Sequence, residues 1–184
     1  MARKSIQELI AQATSSFPDN VTGLITPALL RTWATDFLKA IAPAYGVLQK
    51  SAFGTQLVGL TPSVMQWTTR QDSDPSQTTT SAAQGTIERA ERGTSDINFS
   101  ADFEAPVNRF VSFTLYKNGV ATLWRVTGNG GGNGNPIGVS FAAKDYADPA
   151  ATYDIRITAE IDGVSANIGN ASLIVGVDPV NSYT

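Results

Sequence analysis

Neither cysteine nor histidine occurs in the 184 residues. Without cysteine there is no disulfide, no thiolate nucleophile and no thiolate metal ligand. Without histidine the commonest general base near neutral pH, the usual zinc ligand and every Ser-His or Cys-His catalytic pair are gone. Charge is sparse as well: 13 Lys and Arg stand against 16 Asp and Glu, for a net charge of -3. A broad phosphate-binding surface needs clustered cations, so nucleic acid is not an expected partner. No run reaches the roughly 18 apolar residues that a membrane-spanning helix requires, and the apolar run in MARKSIQELIAQ is too short for a secretion signal. These absences lead us to expect synthesis and folding in a cytoplasm, no membrane insertion, no cofactor and no catalytic residues.

What is present suffices for one ordinary domain with an appendage, since 42% of the residues are hydrophobic. The stretch FPDNVTGLITPALLRTWATDFLKAI specifies a helix. Thr26 can cap it by accepting a first-turn N–H, and Pro27 suits the first helical position, where no donor is needed. Ile25 and Leu30 occupy the two staple positions around that cap. Leu30, Trp33, Phe37 and Ile41 then recur at helical spacing, widened by Ala34 and Leu38, and form one apolar face that ends near Pro43. Ser5 and Glu8 make a capping-box pattern ahead of Leu9 and Ile10, so a second, shorter helix is expected before it.

From about Ala82 the period changes from helical to alternating. Ile97, Phe99, Ala101 and Phe103 alternate with Asp96, Asn98, Ser100 and Asp102, which gives a strand one dry and one wet face. In RFVSFTLYKNGVATLWRV, Asn118-Gly119 predicts a two-residue hairpin turn that pairs Lys117 with Val120, Phe113 with Trp124 and Val111 with Val126. In YDIRITAEIDGVSANI, Asp162-Gly163 predicts a second hairpin, with Ile161 opposite Val164, Ala159 opposite Ala166 and Ile157 opposite Ile168, and with Asp154, Arg156, Thr158 and Glu160 on the wet side. IGVSFA and the run Ala171, Leu173, Val175, Val177 supply further strands. The expected fold is mainly β, a jelly-roll-like antiparallel β-sandwich over 82–184 preceded by a helical segment over 1–45. Between them, 46–81 is expected to be a linker or arm with short strands at QLVGL and SVMQWTT, because RQDSDPSQTTTSAAQG is polar and rich in turn formers.

Candidate chemistry is thin. GNGGGNGNP, from Gly128 to Pro136, lacks the Lys of a phosphate loop and the third Gly of a dinucleotide fingerprint. It is expected to be a mobile connection, or an exposed tip at which Asn129, Asn133 and Asn135 contact a partner. Asp145, Asp148 and Asp154, and separately Asp72 and Asp74, lie close in sequence without a calcium-loop pattern, so no metal site is expected. Trp67 and Trp124 could form a carbohydrate platform, but Trp124 falls on the predicted core face.

The segment FPDNVTGLITPALLRTW resembles an N-terminal element of tailed-bacteriophage virion proteins, in which a short F-x-D-N … G-x-I-T-P … L-R stretch precedes a variable distal domain. FTLYKNG, and YDIRITAEIDG followed by NASLIVGV, look like the jelly-roll modules of phage fibres and decoration proteins, which are related in architecture to trimeric tumour-necrosis-factor-like folds. The resemblance implies virion attachment and not catalysis. The implied protein is a homotrimeric capsid decoration (cement) protein or head fibre located in the virion, with the major capsid protein or another virion protein as partner. A short tail-fibre or receptor-binding module, with a host-surface glycan as a further partner, is the alternative, and a carbohydrate-active enzyme is a third reading. In this frame Leu30, Trp33, Phe37 and Ile41 are the virion-anchoring residues. The competing expectation is that their helix merely covers one end of the sandwich.

Overall fold

The computed structural model describes residues 6–16, 27–41, 44–75, 78–90 and 92–177. Among these residues two helices lead, α1 (Ile6–Ser16) and α2 (Pro27–Ile41). Pro27 is the first residue of α2, as its missing N–H and fixed φ favour. Ser5, Ile25 and Thr26 lie outside the described residues.

Among the described residues twelve strands follow: β1 (Ala44–Lys50), β2 (Gly54–Val58), β3 (Ser63–Val64), β4 (Thr69–Asp72), β5 (Thr78–Ser81), β6 (Thr86–Arg89), β7 (Gly93–Glu104), β8 (Phe110–Lys117), β9 (Val120–Asn129), β10 (Ile137–Ala147), β11 (Thr152–Ala159) and β12 (Val164–Val177). They form two six-stranded sheets, one in the order β10-β7-β12-β1-β4 with β2 also on β12, the other in the order β5-β6-β11-β8-β9 with β3 also on β11. Every pairing is antiparallel. The chain passes repeatedly from one sheet to the other, which makes this a jelly-roll sandwich. Its core lies between the sheets, where Phe113 is 5.5 Å from both Phe99 and Phe103 and Phe99 is 5.2 Å from Phe141. The predicted alternation of β7 is observed: Ile97, Phe99, Ala101 and Phe103 are all buried.

Four expectations need correction. The stretch 46–81 is not a linker, because β1 through β5 belong to the sheets and the sandwich begins at Ala44, paired with Val177. Its polar composition misled because Thr78 and Thr80 are wholly buried. Their hydroxyls donate to Asp72 at 3.1 and 2.8 Å, which removes the cost of burying them.

The second correction concerns Asp162-Gly163, which does not close a hairpin: β11 and β12 belong to different sheets. Alternation fixes which face of each strand is dry, and two strands facing each other across a core satisfy it as well as two strands side by side. Thus Ile157, Ala159, Val164, Ala166 and Ile168 are buried as expected, but against the opposite sheet. Asp154, expected on the wet face, is buried too, with Oδ2 accepting from Arg156 Nε at 2.7 Å.

Third, the Asn118-Gly119 turn is present, with positive φ at both residues and Lys117 opposite Val120. A bulge between Thr114 and Tyr116 then shifts the register, so Phe113 faces Val126 and Val111 faces Gly128. The Thr122 hydroxyl stabilises the bulge by donating to Leu115 O at 2.8 Å and accepting from Trp124 N at 3.3 Å. Fourth, the final strand is continuous with the strand before it: β12 carries a bulge between Gly169 and Ser172, around Asn170 at φ 45°.

Candidate attachment surface

α1 and α2 pack principally on each other, and among the described residues no helix is packed extensively on a strand. Gln12 Nε2 donates to Asp36 Oδ2 at 3.2 Å and ties the two helices together. Leu9 is the one described helix side chain that is buried. Trp33 and Phe37, one turn apart on α2, stack at 5.4 Å with planes 16° apart. Leu30 and Phe37 remain 48% and 39% exposed on the stripe they share with half-buried Trp33, and Leu29 and Ile10 add exposed apolar surface. The Ile41 side chain lies outside the described residues. Three of the four residues expected from the sequence to anchor the chain, Leu30, Trp33 and Phe37, therefore share one face of α2, with Leu30 and Phe37 exposed on it.

The Gly/Asn-rich loop lies at the other end of the sandwich. α2 joins β1 where Ala44 pairs with Val177, whereas the loop after β9 lies beside Glu104, which pairs with Asn167. Ten residues of β12 separate the two levels, roughly 30 Å at strand rise. The loop is not the loose connection expected. Gly130 N donates to Arg109 O at 2.8 Å, Gly132 N donates to Ala105 O at 2.9 Å, and Gly130 O accepts from Asn108 N at 3.3 Å. Two of its glycines are needed for close packing: a Cβ at Gly128 would lie 2.5 Å from the Phe103 ring, and one at Gly130 would lie 2.5 Å from Pro106 O. Asn129, Asn133 and Asn135 are exposed around it and form a polar tip.

Asp145, Asp148 and Asp154 are each held in an ion pair. Asp145 Oδ2 accepts from the Tyr153 hydroxyl at 2.6 Å and from Lys117 Nζ at 2.8 Å. Burial, and then the hydrogen bond and negative charge of Asp145, push the Tyr153 hydroxyl far above the ordinary tyrosine range; Ser95 and Arg89 pull weakly the other way. Beside it Arg89 is fully buried and donates to Gly93 O and to Ser95 Oγ. Asp148 pairs with Arg92 at 2.9 Å. Among the described residues no group of three or more acidic, His or Cys side chains is placed to hold a metal ion.

Sequence reasoning missed the Arg89, Tyr153 and Asp145 cluster because nothing in the spacing of those residues brings them together; only the sandwich topology does. Trp67 is buried in the core, not on a surface platform. Trp124 is half-buried against the core and borders an open depression of about 560 Å³ shared with Asp96, Asn98 and Lys144.

No family model matches the sequence, and no curated protein matches it. Solved structures do match by shape. Eiger TNF from S. frugiperda is 9% identical, with a TM-score of 0.55 over 77% of this chain and 96% of that chain. Murine APRIL at pH 8.0 is 8% identical, with a TM-score of 0.52 over 74% of this chain and 99% of that one. At such identities the likeness concerns the fold, and the fold is a jelly-roll sandwich of the kind seen in those proteins.

Proposed function

We propose that this chain is a non-enzymatic structural protein of a tailed-phage virion, a homotrimeric capsid decoration protein or head fibre. On this reading the N-terminal helical hairpin attaches it to the major capsid protein or another virion protein, and the sandwich is displayed outward. The observation that carries the proposal is the exposure of Leu30 and Phe37 on the α2 stripe they share with half-buried Trp33, while among the described residues the two helices pack principally on each other. A hairpin this small buries too little to offset the entropy of ordering it, so a partner surface completes its fold. Attachment at one end and a polar tip of Asn129, Asn133 and Asn135 at the other is the arrangement that display requires. The resemblance of FPDNVTGLITPALLRTW to virion proteins names the particle as the partner, and the relation of such sandwiches to trimeric folds supplies the homotrimer. A short tail fibre that uses the tip on a host-surface glycan is the alternative; it shares the attachment mechanism and differs only in the site on the particle.

The test replaces Trp33 and Phe37 together by Asp. Two unpaired charges in a dry contact, added to the loss of two aromatic anchors, should abolish co-sedimentation with particles that lack the native protein. The melting temperature of the free protein should stay the same. Unfolding of the double variant would instead place the stripe within the chain's own core, and normal incorporation would remove the anchor.

A further inference from the structure

Three Asn-Gly pairs stand in the chain: Asn118-Gly119, Asn129-Gly130 and Asn133-Gly134. In this dipeptide the backbone nitrogen of the glycine reaches the side-chain carbonyl carbon of the asparagine with the least obstruction, because glycine has no Cβ and rotates freely. The fold treats the three pairs differently. At Asn118 the carboxamide Oδ1 is held by Thr152 N at 2.8 Å and by Thr152 Oγ1 at 3.4 Å, while Asn118 N donates to Thr152 O at 2.9 Å. At Asn129 the attacking nitrogen itself is engaged, since Gly130 N donates to Arg109 O at 2.8 Å, and Gly130 is buried against Pro106 and Ala105. At Asn133 neither restraint exists. Asn133 and Gly134 are exposed, and a Cβ built on Gly134 would meet nothing within 4 Å. Among the described residues neither the Asn133 carboxamide nor the Gly134 N–H makes a hydrogen bond.

We propose that Asn133 is a site of spontaneous covalent modification, the one Asn-Gly pair of the three that the native fold leaves free to deamidate. The Gly134 nitrogen, after losing its proton to solvent base, attacks Asn133 Cγ. The new N–Cγ bond closes a five-membered succinimide, the Cγ–Nδ2 bond breaks, and Nδ2 takes a proton and leaves as ammonia. Water then opens the ring at either carbonyl, giving aspartate or isoaspartate; no oxidant, enzyme or metal takes part. The product carries a new carboxylate on the polar tip, and an isoaspartate adds a methylene to the loop backbone. The chemistry holds whatever the tip contacts, so it stands apart from the attachment reading.

The test is incubation of the native full-length protein in mildly alkaline buffer, with a parallel sample unfolded in urea, followed by peptide mass mapping for the gain of about 1 Da that turns amide into acid. In the native sample Asn133 should convert about tenfold or more faster than Asn118 and Asn129, which must first open locally. In urea the three rates should draw together. Faster native conversion at Asn118 or Asn129, equal native rates at all three, or no native conversion at Asn133 while the urea sample converts would each overturn the proposal. Asn133→Gln should remove the fast native phase; its persistence would also overturn it.

Discussion

The helical hairpin and the sandwich use apolar residues in opposite ways. In the sandwich Phe99, Phe103, Phe113, Leu115, Ile155 and Ile157 are at most 2% exposed, each facing its partners in the other sheet. In the two helices only Leu9 among the described side chains is buried, and Leu30 and Phe37 of α2 are exposed. The contrast follows from how each element meets a partner. Strands place alternate residues on one face, and the jelly-roll path brings a second sheet over that face within the same chain. Two short helices can bury only the line where they touch, so apolar residues off that line depend on other contacts for burial. The sandwich should therefore carry the stability of the free protein, and the hairpin its affinity for a partner.

The strongest way to break this comparison is to damage the core. Phe113 is fully buried between Phe99 and Phe103, on the strand that pairs with β11 and β9. Phe113→Ala should cost about 3 to 5 kcal/mol in chemical denaturation, from lost transfer energy and the cavity left behind. A loss below about 1 kcal/mol would mean that the sheets do not depend on this cluster, and the division of labour would fail.

Much of this division was legible in the sequence, though unevenly. The dry faces of β7, β11 and β12 could be read directly, because period two survives whichever strand becomes the neighbour. The pairing could not: the alternation around Asp162-Gly163 fits a hairpin and a crossing between sheets equally, and only the other strands decide. The bulge beyond Thr114 was invisible because it rests on one hydroxyl, that of Thr122. Thr78 and Thr80 looked like loop residues until Asp72 was seen to accept from both. The shared face of Leu30, Trp33 and Phe37 on α2 was legible, since an amphipathic helix declares its face locally.

A second way to sharpen the comparison uses pH. Tyr153 is buried and hydrogen-bonded to Asp145, which raises its pKa above the ordinary value of about 10. The folded state therefore binds this proton more tightly than the unfolded state does. Its contribution is fully present below pH about 10 and is lost progressively as the pH climbs from there toward the raised folded value. Stability should thus fall at high pH more steeply in the wild type than in Tyr153→Phe, which at neutral pH should itself be less stable by about 1 kcal/mol. Melting scans across the alkaline range check both points. Parallel curves for the two proteins would show that this hydroxyl contributes nothing to the alkaline loss.

The smallest expected effect on stability separates the two regions most cleanly. Leu30 is 48% exposed on α2, and alanine matches or exceeds leucine as a helix former, so Leu30→Ala removes apolar surface without weakening the helix backbone. In the free protein the change should stay within about 0.5 kcal/mol, the range of surface substitutions. On the particle the same side chain, if buried by the partner, contributes about 1.5 to 3 kcal/mol, so binding should weaken by about 10- to 150-fold. The measurement is paired, with denaturant midpoints of wild type and variant beside their binding curves on particles stripped of the native protein. A shifted midpoint with unchanged binding would reverse the assignment, making α2 part of the chain's own fold. An unchanged midpoint with weakened binding is what an apolar stripe held open for a partner requires, because the energy of that side chain is realised only after the second surface arrives.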